Sequence, residues 1–190
     1  MMTKPSIVFI RHAGSRFDRD VIGKWLANEF ELVGELIIES DRRRQFNTVK
    51  HEYKRSGASG LIDAFTFRAL YSLRISNGED EKIDQLINEH SARFEPYSTE
   101  TYRIEDPNTD EAHRILSDLA PDVMVARTKV LLNERIFSIP KHGTFVIHPG
   151  ICPEYRNQHG CFWALAMGDD QKVGYSLIRI DDGIDTGEIY

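Results

Sequence analysis

Two cysteines in 190 residues, Cys152 and Cys161, are too few for a disulfide framework, and neither a CxxC nor a helical HxxxH pair offers a metal or redox centre. Both are read as reduced, buried thiols, the state that a cytoplasmic protein keeps. No apolar run is long enough to cross a bilayer, and Met1 to Pro5 leads straight into a strand too short for a signal h-region. Neither a membrane span nor a targeting segment is therefore predicted. Positive charge is in deficit: 24 Lys and Arg against 30 Asp and Glu leave a formal charge of -6. That balance argues against a general nucleic-acid binder, whose affinity comes from cations facing phosphates, and leaves room for local basic clusters. A full glycine fingerprint, an internal repeat, a low-complexity tract and a Gly/Ser linker are all missing as well.

What is present suits one globular domain over 1–190, since a chain 41% hydrophobic and 28% charged can bury a substantial core without staples. Ile7-Val8-Phe9-Ile10 reads as a strand buried on both faces of a parallel sheet. Val21, Ile22, Trp25, Leu26 and Phe30 recur at helical spacing over 17–30, below a Ser15 or Asp18 cap, and 32–39 supplies a second strand, completing a βαβ unit. A helical insertion is expected near 41–95: a polar, basic stretch over 41–55, an amphipathic helix over 61–75 that ends at 76–80, and a short helix over 81–91. A strand at 101–104, a helix at 110–119 and a strand at 123–126 follow. Then come a short helix at 131–137, a strand at 145–147, a helix at 161–167 and a strand at 174–180. The fold class is α/β, with a mostly parallel, Rossmann-like sheet flanked by helices.

The chemistry gathers late. His148 ends an apolar strand, on the sheet edge where α/β proteins bind ligands, and Asp185 sits in the glycine-flanked turn Asp182-Gly183-Ile184-Asp185-Thr186-Gly187. An imidazole and an exposed carboxylate there suggest proton-coupled chemistry. His148, His159 and Asp185 are metal-ligand types, but without a helical pair no metal site is expected. Gly14, Ser15 and Arg16 follow the first strand, where free backbone N–H groups favour an anion such as a substrate phosphate or carboxylate; an ordinary helix cap with a solvated arginine is the alternative. Arg42, Arg43 and Arg44 read as a solvated run. The stripe from Leu61 to Leu73 reads as core or dimer packing.

Pro121-Asp122, Pro140-Lys141-His142-Gly143, Val146-Ile147-His148-Pro149-Gly150-Ile151-Cys152-Pro153-Glu154-Tyr155-Arg156-Asn157 and Ile184-Asp185-Thr186-Gly187 together resemble the linked motifs of the folate-dependent formyltransferases. The likeness covers 121–190 almost without gaps, while the first 120 residues share only the rhythm of elements. The resemblance implies the formyltransferase fold and transfer of a formyl group from 10-formyltetrahydrofolate to an amine of a small acceptor, an amino sugar or another small anionic amine. It implies that His148 polarises the formyl oxygen and that Asp185 takes the amine proton. It also implies that folate lies along Lys129, Val130, Leu131 and Leu132 and the loop Asp181, Asp182, Gly183 and Ile184.

Two departures adjoin this site. Val146 stands where the family has a catalytic asparagine, and Asn157 where it has a glycine. Losing one oxyanion donor costs about two to three powers of ten in rate, so Asn157, or else His159, is the expected stand-in. His159 is equally readable as a core residue under Phe162 and Trp163, and Arg156 as a neighbour of the site. A formyltetrahydrofolate hydrolase and a folate-binding scaffold remain alternatives. A tRNA acceptor is disfavoured by the acidic charge and by the lack of an appended domain. The chain is expected to be C-terminally truncated after the Asp185 loop, and a homodimer is left open.

Overall fold

The computed structural model describes residues 4–39, 66, 76–156 and 159–190. Among these, six strands form one sheet in the order β3-β2-β1-β4-β5-β6. β1 (Ser6–His12), β2 (Glu31–Ile38), β3 (Thr101–Ile104), β4 (Val123–Arg127) and β5 (Thr144–Pro149) run parallel, and β6 (Tyr175–Arg179) closes the edge antiparallel to β5. Residues 188–190 return along the outer side of β6, through an Ile178–Ile189 bridge. No helix among the described residues is long and apolar enough to cross a membrane.

Alternation along β1 divides the core in two. Val8 and Ile10 pack with Leu36, Ile38, Met124, Ala126 and the buried Ala112 and Leu116 of α3 (Asp110–Leu119). Ile7 and Phe9 face the other way, onto Leu26 and Val125. α3 begins and ends as its residues dictate: Thr109 Oγ1 accepts the Ala112 amide at 3.2 Å, Asp110 and Glu111 occupy the first turn, and Ala120 turns left-handed (φ 43°) before Pro121. The Pro121-Asp122 motif has a structural use. Asp122 Oδ2 accepts both the amide of Ser6, at 2.9 Å, and its hydroxyl, at 3.1 Å, tying the start of β4 to the start of β1.

Several expectations are corrected. The helix expected over 17–30 is present, but its first part is a π-helical turn, Asp18–Gly23, leading into α1 (Lys24–Glu29); of the two caps considered, Ser15 Oγ accepts the Asp18 amide at 3.4 Å, whereas Asp18 is buried and ion-paired. The stop expected at 76–80 is absent, because α2 runs unbroken over Ser76–Ser91; a helical glycine such as Gly78 costs only about 1 kcal/mol. The helix expected from 131 begins three residues later, as α4 (Glu134–Phe137). Asn133 caps it, accepting the Ile136 amide at 3.1 Å, while Asn108 receives the Asn133 amide and donates to the Leu131 carbonyl, holding that segment extended. The helix proposed over 61–75, the arginines 42–44 and Asn157 lie outside the described residues, apart from Thr66, which is helical.

Candidate active site

His148 and Asp185 meet at the carboxyl edge of the sheet. His148 is the fifth residue of β5, paired with Ser176 on β6. Its Nδ1 lies 3.5 Å from Asp185 Oδ2, with the two side chains 8% and 16% exposed, and its Nε2 lies 3.2 Å from the Tyr155 carbonyl oxygen. A carbonyl only accepts, so Nε2 carries a proton. The opposite contact is attractive when a second proton sits between Nδ1 and the carboxylate. The contact gives a path along which a proton can pass between the two side chains.

Local sequence enforces this arrangement. The segment after His148 folds back until Gly150 and Gly160 are in contact, and a Cβ on either would run into the Tyr155 carbonyl oxygen that faces the imidazole. Gly150 also has φ +146°, a conformation that side chains disfavour. Ser176 Oγ stitches the segment to β6, accepting the Cys152 amide and donating to the Gly150 carbonyl, both at 2.9 Å. Burial, and secondarily the Asp185 charge, push the Cys152 thiol up. Both cysteines are free; Cys152 is buried as expected, whereas Cys161 is only half-buried. On the other strand, Asp181 Oδ1 accepts the Gly183 amide at 3.0 Å and the Thr186 hydroxyl at 2.8 Å, closing the turn that carries Asp185. Asp185 itself is left-handed, with φ 53°, a strained backbone that Asp tolerates better than most residues.

Asp185 opens onto a cavity of about 210 Å³. Its walls include Val130, Leu131 and Leu132 on one side and all of Asp181, Asp182, Gly183 and Ile184 on the other, with Ala126, Val146 and Ile178 beneath. Lys129 stands outside this lining, its amide given to His12 Nε2 at 3.1 Å. Val146, between Ala126 and Ile178 in the sheet, is a plain apolar wall.

Other predicted residues are not brought to this place. Gly14, Ser15 and Arg16 follow β1 but do not line the cavity, and Arg16 is paired with Asp84 of α2 at 2.6 Å. His159 is not stacked in the core: it is exposed at the start of α5 (Gly160–Ala166), with φ 64°, beside Phe162 and Trp163, which are themselves 60% and 51% exposed. Arg156 is exposed too.

Sequence reasoning passed over His12 and Arg127, which support the two halves of the site. The available signal was an ionisable residue at the end of each of two apolar strands, which demands partners in a buried parallel sheet.

The family model described as formyl transferase matches residues 68–190. A methionyl-tRNA formyltransferase of Dehalococcoides mccartyi is 37% identical over 81 residues, 42% of this chain and 26% of that protein. The human mitochondrial 10-formyltetrahydrofolate dehydrogenase is 46% identical over 54 residues, 28% of this chain and 6% of that protein. The chain thus matches about a quarter or less of the length of these relatives. Among solved structures, a phosphoribosylglycinamide formyltransferase from Streptococcus pneumoniae superposes with a TM-score of 0.54 at 16% identity, covering 99% of this chain and 79% of the other. A formyltetrahydrofolate deformylase from Pseudomonas syringae superposes with a TM-score of 0.55 at 15% identity, covering 98% and 49%. At such identities the likeness is one of fold.

Proposed function

Because the chain belongs to the formyl transferase family, we propose that residues 1–190 form one catalytic unit that moves a formyl group from 10-formyltetrahydrofolate to an amine of a small acceptor. The observation that carries this reading is the His148–Asp185 pair, 3.5 Å apart, in which Asp185 lines the cavity of Val130 and Ile184 and His148 stands behind it. At about 210 Å³ the cavity is smaller than a typical site for a drug-sized ligand, so it suits the flat head of a folate, with the tail outside.

In this reading His148 offers its Nε2 proton to the formyl oxygen, which competes for it with the Tyr155 carbonyl, and steadies the negative charge that develops there. Asp185 receives the proton that the amine gives up as its nitrogen bonds to the formyl carbon. The bond from that carbon to the donor nitrogen breaks, and the proton returns to the donor nitrogen, leaving His148 and Asp185 as they began. Val146 supplies no hydrogen bond, so the chain relies on His148 and on a donor from elsewhere, for which we nominate Asn157. The net charge of -6 favours a small acceptor over a polyanion. Two free thiols favour a reducing, cytoplasmic setting.

The test is to incubate the protein with 10-formyltetrahydrofolate, with and without a panel of amino sugars, aminoacyl compounds and simple amines, and to follow tetrahydrofolate and formylated product. Amine-dependent release is expected. Release of formate without amine would make the protein a hydrolase, and no release together with no binding of a stable formylfolate analogue would overturn the assignment.

A further inference from the structure

Arg127 occupies the point where the sheet opens. The β4–β5 ladder ends at Ala126–Val146, while β5 continues beside β6 as far as Pro149–Tyr175. Past that point the Ile147 carbonyl has lost its strand partner on the β4 side. Arg127 takes over, with Nη1 donating to Ile147 O at 3.1 Å. Its Nε meanwhile pairs at 3.1 Å with Asp18 Oδ1, a carboxylate only 6% exposed that the π-helical turn delivers. The neighbouring Arg11, opposite Arg127 in the ladder, does not compete, because Glu35 holds it through Nε at 3.2 Å and Nη2 at 2.7 Å.

Side chains alternate along β5. Ile147 packs with the Phe9 and Leu26 side of the sheet, so His148 projects to the opposite face, toward Asp185. We propose that Arg127 is a positioning residue for His148, clamping the Ile147–His148 peptide from the face opposite the His148 ring; the catalytic consequence rests on the formyl-transfer reading above. A guanidinium can hold a carboxylate and a carbonyl at once in one rigid plane, which an ammonium cannot. Misplacement by about 1 Å of a group that must meet reacting atoms costs on the order of a hundredfold in rate, so a clamp one peptide away is worth testing.

Removing Arg127 alone strands Asp18 in the interior, so the decisive variant is Arg127→Met with Asp18→Asn, and Arg127→Lys, which keeps the charge beside Asp18, is its companion. Three readouts are taken on the full chain: the NMR titration of the His148 ring, the affinity for a stable formylfolate analogue, and turnover of 10-formyltetrahydrofolate with the amine panel. The expected result for the double variant is a His148 ring titration that differs from the parent's, as the Asp185 contact loosens. Analogue affinity should stay within about twofold and turnover should drop at least about tenfold with KM little changed. Arg127→Lys should move in the same direction by less, and it decides the matter if the double variant does not fold. An unchanged His148 titration and unchanged turnover in a folded variant would reduce Arg127 to a structural ion pair and overturn the proposal. Should the unsubstituted protein bind no analogue, the formyl-transfer reading fails, and the His148 titration alone judges the clamp.

Discussion

His148 has a partner on each ring nitrogen, which makes substitutions at this pair interpretable. His148→Ala and Asp185→Ala are each expected to lower formyl turnover by at least about a hundredfold while leaving the melting temperature of a folded protein close to the parent's. Near-parental rates in both, on the true acceptor, would remove the pair from the chemistry. Asp185→Asn is the sharper control, since asparagine tolerates the same left-handed backbone and only the proton-accepting charge is lost. His12 poses a second question. As acceptor for the Lys129 amide it anchors the segment that lines the cavity, so His12→Leu is expected to weaken analogue binding by about three- to tenfold. His12→Gln, whose amide oxygen can accept, should restore most of it. Equal losses by calorimetry would show that shape, and not the hydrogen bond, is at stake. His148 and Asp185 were legible because linked motifs frame them. His12 and Arg127 were not, because their partners lie 117 and 109 residues away in sequence.

Elements were read best where capping chemistry is local. Thr109 with its acidic first turn, and Ala120-Pro121 at the other end, delimit α3 where the sequence predicts it. The start of α4 escaped, because Asn108, from a different loop, holds Leu131 and Asn133 extended. That shift matters to the site, because the extended segment is the one whose Leu131 and Leu132 line the cavity. Between β5 and α5 the decisive element is the close contact of Gly150 with Gly160. Gly160→Ala is expected to force the segment apart at the Tyr155 carbonyl, removing the Nε2 partner of His148 and lowering the melting temperature. A variant that melts with the parent and keeps its His148 titration would mean that the segment has room to spare.

At the scale of the molecule, the six strands and the mostly parallel sheet follow from the strand, helix, strand rhythm, whereas the strand order, the antiparallel sense of β6 and the return of 188–190 along it could not be read from spacing alone. Asp122 ties the sheet together at its base, and the Ser6 amide and hydroxyl hold its carboxyl below the usual range. A carboxyl lowered in the folded state contributes stability that is present above its unfolded value and lost as pH falls through the folded one. Asp122→Asn should therefore melt earlier than the parent at pH 7, and the gap should close as pH is taken below about 4. A gap independent of pH, followed by calorimetry, would assign the effect to shape instead of charge. The same contact joins residues 116 apart, and it has a bearing on biosynthesis. β1, with Phe9 wholly buried in the finished sheet, meets β2 early but waits for β4 until more than half of the chain has left the ribosome. Through that interval one side of the future central strand has no partner, and an apolar, unpaired edge of this kind is what exposes a folding chain to aggregation.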